Sequence, residues 1–318
     1  MFRIHRILAG LLLALTLIAC GAASPTAAPA SPAAAQSAAG YPLTLTDGLG
    51  RELTLAAAPA RIVSLAPSNT EILFAVGAGD AVVGVTKYCT FPEAATKIEQ
   101  IGGFSAKTIS VEAIVALKPD VVFSGDESQQ PVIDALEQAG IPVIALKAAT
   151  FEDVYANIAL AGRATGHPAE AEQVVAAMRE RVAAVSAKAA TIPAGQRRSV
   201  FYEVFDEPLM TAGPGTFIGQ MIELAGAVNV FADASAEYPE ISAEEVVARQ
   251  PEVIVGPQSH ADKLTAEVIA ARPGWNGLAA VKENRIVIID GDSVSRAGPR
   301  LAEALEALAA SLYPDVFK

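Results

Sequence analysis

Asp290-Gly291-Asp292-Ser293 follows an apolar run late in the chain, and a serine set beside acids there is a candidate nucleophile. Acyl transfer from such a serine needs a base within hydrogen-bond reach and an acid that orients the base. His260, in the polar stretch GPQSHADK, is the only candidate base in that half of the chain. His167 precedes Pro168 and reads as a residue at a helix start. Two isolated histidines do not make a metal centre, which wants several imidazoles, thiolates or carboxylates at close quarters. No GxxxxGK[ST] stretch occurs, and TAGPGTFIG lacks the dinucleotide fingerprint, so Gly213, Pro214 and Gly215 read as a turn before a helix. No enzyme is therefore expected. Cys89 beside Tyr88 has the chemistry of a thiolate metal ligand, but a small half-buried thiol that only packs is the simpler expectation.

Aromatic, amide and charged residues recur instead in stretches that follow apolar runs: TKYCTFP (86–92), GGFSAK (102–107), SGDESQQ (124–130), FDEPLM (205–210), AEYPEIS (236–242) and DSVSRAGPR (292–300). Flat apolar faces among acids, arginines and amides suit a bulky solute with a hydrophobic plane and a polar rim.

The elements that must position them are legible in the periodicity. LTLTDGLGRELTL (43–55) alternates on both sides of Asp47-Gly48 and predicts a hairpin. RIVSLA (61–66) reads as a buried strand, followed by a helix with Ser68 and Glu71 as a capping box and Gly77 as its left-handed stop. Further strands are expected at 82–85, 121–123, 143–146, 199–204, 253–255 and 285–289, with helices at 111–117, 131–139, 217–224, 243–248 and 299–312. Strands alternating with helices imply mainly parallel sheets covered on both faces. PAEAEQVVAAMRERVAAVSAKAA, opened by Pro168, predicts one long helix of about 34 Å, enough to link two lobes.

A repeat supports two lobes of like build. SVEAIVALKPDVVF from Ser110 returns as SAEEVVARQPEVIV from Ser242, with six identities in fourteen positions. In each copy Ser opens a short helix, proline ends it, and an acid leads into a strand.

The first residues form a separate unit. MFRIHR is basic and residues 7–19 are apolar, which predicts a secretory signal over 1–19. Export takes away Arg3 and Arg6 and no acid, leaving 21 basic against 35 acidic side chains, a formal charge of −14 that disfavours nucleic acid. Residues 21–40 hold only Ala, Ser, Pro, Gly, Thr and Gln, the composition of a flexible tether. The expected organisation is signal 1–19, tether 20–40, N-terminal α/β lobe 41–166, linking helix 167–192 and C-terminal α/β lobe 193–318.

RIVSLAPSNTEILFAVGAGDAVVGVT, YCTFPEAA, KPDVVF, MTAGPGTFIGQMIELAG, YPEISAEEVVARQPEVIV and SRAGPR resemble the periplasmic substrate-binding proteins of ABC importers for cobalamin, ferric siderophores and haem, across residues 43–315. The resemblance implies two three-layer α/β lobes joined by one long helix, a ligand cleft between them and no catalysis. It implies a monomer that works with an ABC permease dimer and its ATPase subunits. YCTFP, FDEPLMTAGPG and YPEIS most resemble cobalamin binders, with ferric siderophore or haem as the alternative cargo. Carried over residue by residue, the resemblance puts Tyr88, Phe104, Met210 and Tyr238 against the corrin ring, with Asp292 and Arg296 at the ligand's far polar side. Phe104 and Tyr238 stand where the best-known member has tryptophans. Glu112 and Glu223 match the family's two permease-docking acids, and Leu17-Ile18-Ala19-Cys20-Gly21 resembles the lipobox, which makes Cys20 the lipidated, membrane-anchored N-terminus.

Overall fold

A buried carboxylate explains why the chain turns where it first becomes regular. Leu43–Thr46 (β1) and Glu52–Leu55 (β2) pair antiparallel, Leu43 opposite Leu55 and Thr46 opposite Glu52, as the alternation predicts. Between them Asp47 accepts the amides of Leu49 and Arg51, the Arg51 guanidinium and, from far along the chain, the amide of Ala145. Gly48 is required at this close approach, because a Cβ there would lie 2.6 Å from the Lys147 amide nitrogen. Burial works against the Asp47 charge, but Arg51 and the three amides outweigh it and hold the pKa below the usual carboxylate range. Lowered in the folded state, this pKa adds stability above about pH 4 that is lost as pH falls through the folded value. Asp47→Ala is expected to cost about 2 kcal/mol, modest because Arg51 keeps contact with water, and to blunt the acid sensitivity. Urea midpoints at neutral and acid pH measure both effects.

The structure, a computed structural model, describes residues 40–258 and 264–318. The signal, Cys20, the tether up to residue 39, and His260 lie outside the described residues. The N-terminal lobe contains a parallel sheet of Ile62–Ser64 (β3), Val82–Gly84 (β4), Val121–Ser124 (β5) and Val143–Ala145 (β6), in the order β4-β3-β5-β6. Its strands are almost wholly buried, which is why they read as unbroken apolar runs. Pro67–Ala75 (α1), Val111–Ala116 (α2), Gln130–Gln138 (α3) and Phe151–Thr165 (α4) cover it, and Pro168–Ala189 (α5) leads out.

The C-terminal lobe is built from Ser199–Asp206 (β7), Leu209–Thr211 (β8), Phe217–Leu224 (α6), Val228–Asn229 (β9), Ala243–Arg249 (α7), Val253–Gln258 (β10), Ala266–Ala270 (α8), Ala279–Lys282 (α9), Ile286–Asp290 (β11), Gly291–Val294 (α10) and Leu301–Leu312 (α11). Parallel strands run β11-β10-β7-β9, and β8 folds back antiparallel on β7. Set aside β8, and each lobe has the same order: second strand, first, third, fourth.

The repeat seen in the sequence has a physical counterpart at each step. Ser110 caps α2 through the Ala113 amide, and Ser242 caps α7 through that of Glu245. Ile114 and Val246 are each fully buried one turn later. Lys118 and Gln250, each before a proline, adopt the same left-handed backbone with φ of 48°. Asp120 and Glu252 then bind the amides that open β3 and β7.

α5 spans about 33 Å at 1.5 Å per residue and packs between α4 and α11. Arg179 forks onto Glu152 of α4, while Arg181 reaches Glu303 and Glu306 of α11, so neighbouring arginines of one helix tie it to a helix of each lobe.

Two local expectations are corrected. The capping box at Ser68 and Glu71 does not form: α1 begins at Pro67 after Ala66 without a side-chain cap, and Glu71 is spent on arginines more than 220 residues away. α4 has no counterpart in the sequence-based assignment, although Thr150 and Asp153 form a complete capping box and Gly166 closes it left-handed.

Candidate functional site

Because the strands of each lobe run parallel, the loops after their C-terminal ends gather along one edge of each sheet, where α/β lobes bind ligands. Among the described residues, the strongly exposed aromatic side chains are Tyr88, Phe91 and Phe104, each 46% exposed, and Phe205 at 43%. Three lie between β4 and α2 and the fourth at the end of β7, so both lobes present rings at these edges. Exposed rings concentrated at one kind of position mark a surface made to be covered.

Phe104 is held by a buried carboxamide. Gln129 donates to the carbonyls of Phe104 (2.9 Å) and Leu65 (3.0 Å) and accepts the Gly125 amide (2.8 Å), joining the Phe104 loop to the ends of β3 and β5. The preceding loop needs Gly102, whose φ is 113° and whose Cβ would lie 2.2 Å from the Thr108 carbonyl. The ring is free while its backbone is fixed, the arrangement that loses least entropy on binding.

Tyr88 and Phe91 flank Cys89, whose thiol turns inward. Cys89 is buried, with the Thr70 hydroxyl at 3.1 Å and the Thr86 hydroxyl at 3.2 Å from its sulfur.

The same loop is gripped by the other lobe. Arg296 donates to the Tyr88 carbonyl (3.2 Å), the Thr90 hydroxyl and Glu71, and pairs with Asp292 at 2.8 Å. Arg300 forks onto Glu71 at 2.7 and 2.9 Å, and its guanidinium lies 4.5 Å from the centre of the Phe91 ring. The Glu71 side chain is only 2% exposed. Asp292 and Arg296, expected at the polar side of a ligand, are thus joined to each other and to the N-terminal lobe.

In the C-terminal lobe Met210 lies opposite Phe205 in the β7–β8 hairpin and bridges Glu240. Tyr238, two residues earlier, is half-buried, and burial, aided by the charge of Glu237, pushes its hydroxyl pKa up to about 12. It therefore stays a protonated donor at neutral pH. Beneath the hairpin, fully buried Glu203 is paired with Arg272, which stacks over Trp275.

Glu112 is exposed in the first turn of α2, the helix before β5. A helix that precedes a parallel strand runs back along it, so this turn sits at the loop-bearing edge. Glu244, in the first turn of α7 before β10, is its counterpart in the repeat and is also exposed. Glu223 is in the last turn of α6, before β9, and so at the opposite end of its lobe. It lines a groove of about 630 Å³ between α4, α5 and α6, together with Phe151, Tyr155 and Gln220. Phe91 and Phe205 lie in the stretches 86–92 and 205–210 that the sequence marks but were not assigned to the ligand, and Glu244 was absent from the sequence-derived site. The spacing of the repeat was the available signal for Glu244.

A fold of two like lobes joined by a helix, with rings at the facing loop edges, defines a solute-binding protein of the periplasmic type. A family model described as periplasmic binding protein matches residues 62–293, and the chain belongs to that family. It is 38% identical over 283 residues to an uncharacterised ABC transporter substrate-binding lipoprotein of Bacillus subtilis, covering 87% of this chain and 88% of that one. It is 34% identical over 307 residues to a cobalamin-binding protein of Halobacterium salinarum, covering 95% and 82%. Among solved structures, the apo periplasmic haem-binding protein RhuT of Roseiflexus superposes with a TM-score of 0.72 at 28% identity, over 81% of this chain and 99% of that one. The chain is a binding protein and not an enzyme.

Proposed function

We propose that this protein is the solute-capturing lipoprotein of an ABC importer and that its solute is a corrinoid, cobalamin, held between the lobes and passed unchanged to a permease dimer driven by its ATPase subunits. The observation that carries this is the set of exposed rings, Tyr88, Phe91, Phe104 and Phe205, at the strand ends of both lobes. A corrin offers a broad apolar face for such rings and a rim of amides for hydrogen-bonding groups such as the Tyr238 hydroxyl. The 34% identity to a cobalamin-binding relative over nearly the whole chain supports a corrinoid over haem, whose support is a structural neighbour at 28%. Tyr88, Phe104, Met210 and Tyr238 contact the ring in this proposal, and Asp292 and Arg296 border it.

Acylated Cys20 anchors the protein outside the cytoplasm, with the Ala/Ser/Pro stretch as its tether. Among the described residues, no helix is long and apolar enough to cross a membrane. Glu112 docks on the permease. We place the second docking acid at Glu244 rather than Glu223, since the repeat puts Glu112 and Glu244 at matching loop-side turns.

Calorimetric titration with cyanocobalamin, haemin and a ferric siderophore tests the cargo. Saturable 1:1 binding of cyanocobalamin with a Kd below about 1 µM, about −8 kcal/mol, is expected. Silence with cyanocobalamin and saturation with haemin or the siderophore would reject the corrinoid.

A further inference from the structure

Two of the contacts between the lobes fall at corresponding places in the two halves of the fold, and they are chemically unequal. α1 and α6 each follow the first strand of their sheet and end at a left-handed glycine, Gly77 with φ 88° and Gly226 with φ 81°. Six residues before each glycine, α1 carries Glu71 and α6 carries Gln220. α4 and α11 likewise follow the fourth strand of their sheets. Glu71 crosses to the residues before α11, and Gln220 crosses to the first residue of α4.

At the first junction the buried Glu71 carboxylate takes three guanidinium bonds, from Arg296 at 3.1 Å and Arg300 at 2.7 and 2.9 Å. At the second, one neutral bond of 3.0 Å runs from the Phe151 amide to Gln220, beside the groove of about 630 Å³. Charge-assisted, forked bonds are roughly twice as strong as neutral ones, and breaking one side of a buried ion pair strands a charge. Any swing of the lobes therefore meets its lower resistance at Phe151 and Gln220. The arginines that hold Glu71 also hold the loop with two of the exposed rings: Arg296 at the Tyr88 carbonyl and Thr90, Arg300 against the face of Phe91.

We propose that Glu71 is a positioning residue for solute capture: through Arg296 and Arg300 it fixes the Tyr88–Phe91 loop against the opposite lobe and keeps this junction closed, leaving the Phe151–Gln220 junction as the side that opens. Neither Glu71 nor Arg300 needs to touch the solute. The affinity consequence rests on the proposed corrinoid function, whereas the order of the loop does not.

Two readouts on the full chain separate these. Without ligand, hydrogen exchange followed by mass spectrometry should show the Phe151 amide exchanging faster than those of Cys89 and Thr90 in the wild type. Glu71→Gln should raise exchange over 86–92 about tenfold and leave the other N-terminal-lobe strands unchanged. With cyanocobalamin, Glu71→Gln should weaken binding about tenfold, but less than about twofold when Tyr88, the solute-contacting ring of this loop, is already alanine, since effects routed through one contact are not additive. Arg300→Lys, which keeps the charge but loses the fork and the stacking, should repeat both effects more weakly and guards against misfolding of the first variant. An exchange increase spread over the whole lobe, an equal affinity loss with and without the Tyr88 ring, or faster exchange at Cys89 than at Phe151 would overturn the proposal. If the wild type binds no cyanocobalamin, the corrinoid assignment falls and the exchange data alone decide the role of Glu71.

Discussion

Replacing Tyr88 and Phe104 together with alanine is expected to weaken cyanocobalamin binding by between one hundredfold and one thousandfold while leaving the melting temperature almost unchanged. Both rings are about half exposed, so folding does not depend on them. A phenyl or phenol side chain presents about 200 Å², and covering the exposed half, near 90 Å², gains about 2 kcal/mol at 25 cal/mol per Å². Two such rings give about 4 kcal/mol, about a thousandfold, and imperfect cover lowers the figure. The carboxamide clamp from Gln129 to the Phe104 carbonyl matters here, because a ring on a fixed backbone spends little of that gain on ordering. Calorimetric titration and thermal unfolding of the same sample read the two halves of the expectation. A retained affinity would remove both rings from the site, and a large fall in melting temperature would make them structural.

Glu112→Arg combined with Glu244→Arg is expected to lower solute uptake at least about twentyfold with solute affinity intact. Both carboxylates are exposed in first helical turns at the loop-bearing edge of their lobes, so reversal leaves the core untouched. In place of attraction, two like-charge encounters with a basic permease surface would each cost on the order of a kcal/mol or more and would slow association. Glu112→Arg with Glu223→Arg provides the contrast, since Glu223 lies at the far end of α6, and should lower uptake only about fivefold, the share of the Glu112 reversal alone. Uptake assays in membranes carrying the complete importer, paired with titration of the isolated variants, measure this. If the Glu223 pair proves the more damaging, the docking acids do not follow the repeat.

Periodic and local features of the fold were legible in the sequence. Asp47-Gly48 turns the chain with its own side-chain and backbone chemistry, and Pro168 opens a helix whose length follows from its composition. The duplicated Ser-to-Pro segment pointed to two lobes of like build because each of its residues does a local task. Elements decided by distant partners were not legible. Glu71 three residues after Ser68 has the spacing of a cap, yet arginines from the other lobe outcompete the local amide. α4, by contrast, was legible: it carries full start and stop signals, and Phe151, Val154, Tyr155, Ile158 and Ala161 fall on one face at the spacing that marks an amphipathic helix. At the site, ring types in loops pointed to Tyr88 and Phe104. The cross-lobe grip on that loop joins positions over 200 residues apart and follows only from the fold.

A crystal structure of the protein grown with cyanocobalamin decides whether the cleft holds a corrin. One corrin is expected between the lobes, its faces against Tyr88 and Phe104 on one side and Met210 and Tyr238 on the other, with the Glu71–Arg300 junction intact. A corrin bound elsewhere, for example in the groove beside Glu223, or one between the lobes that leaves those rings exposed, would contradict it.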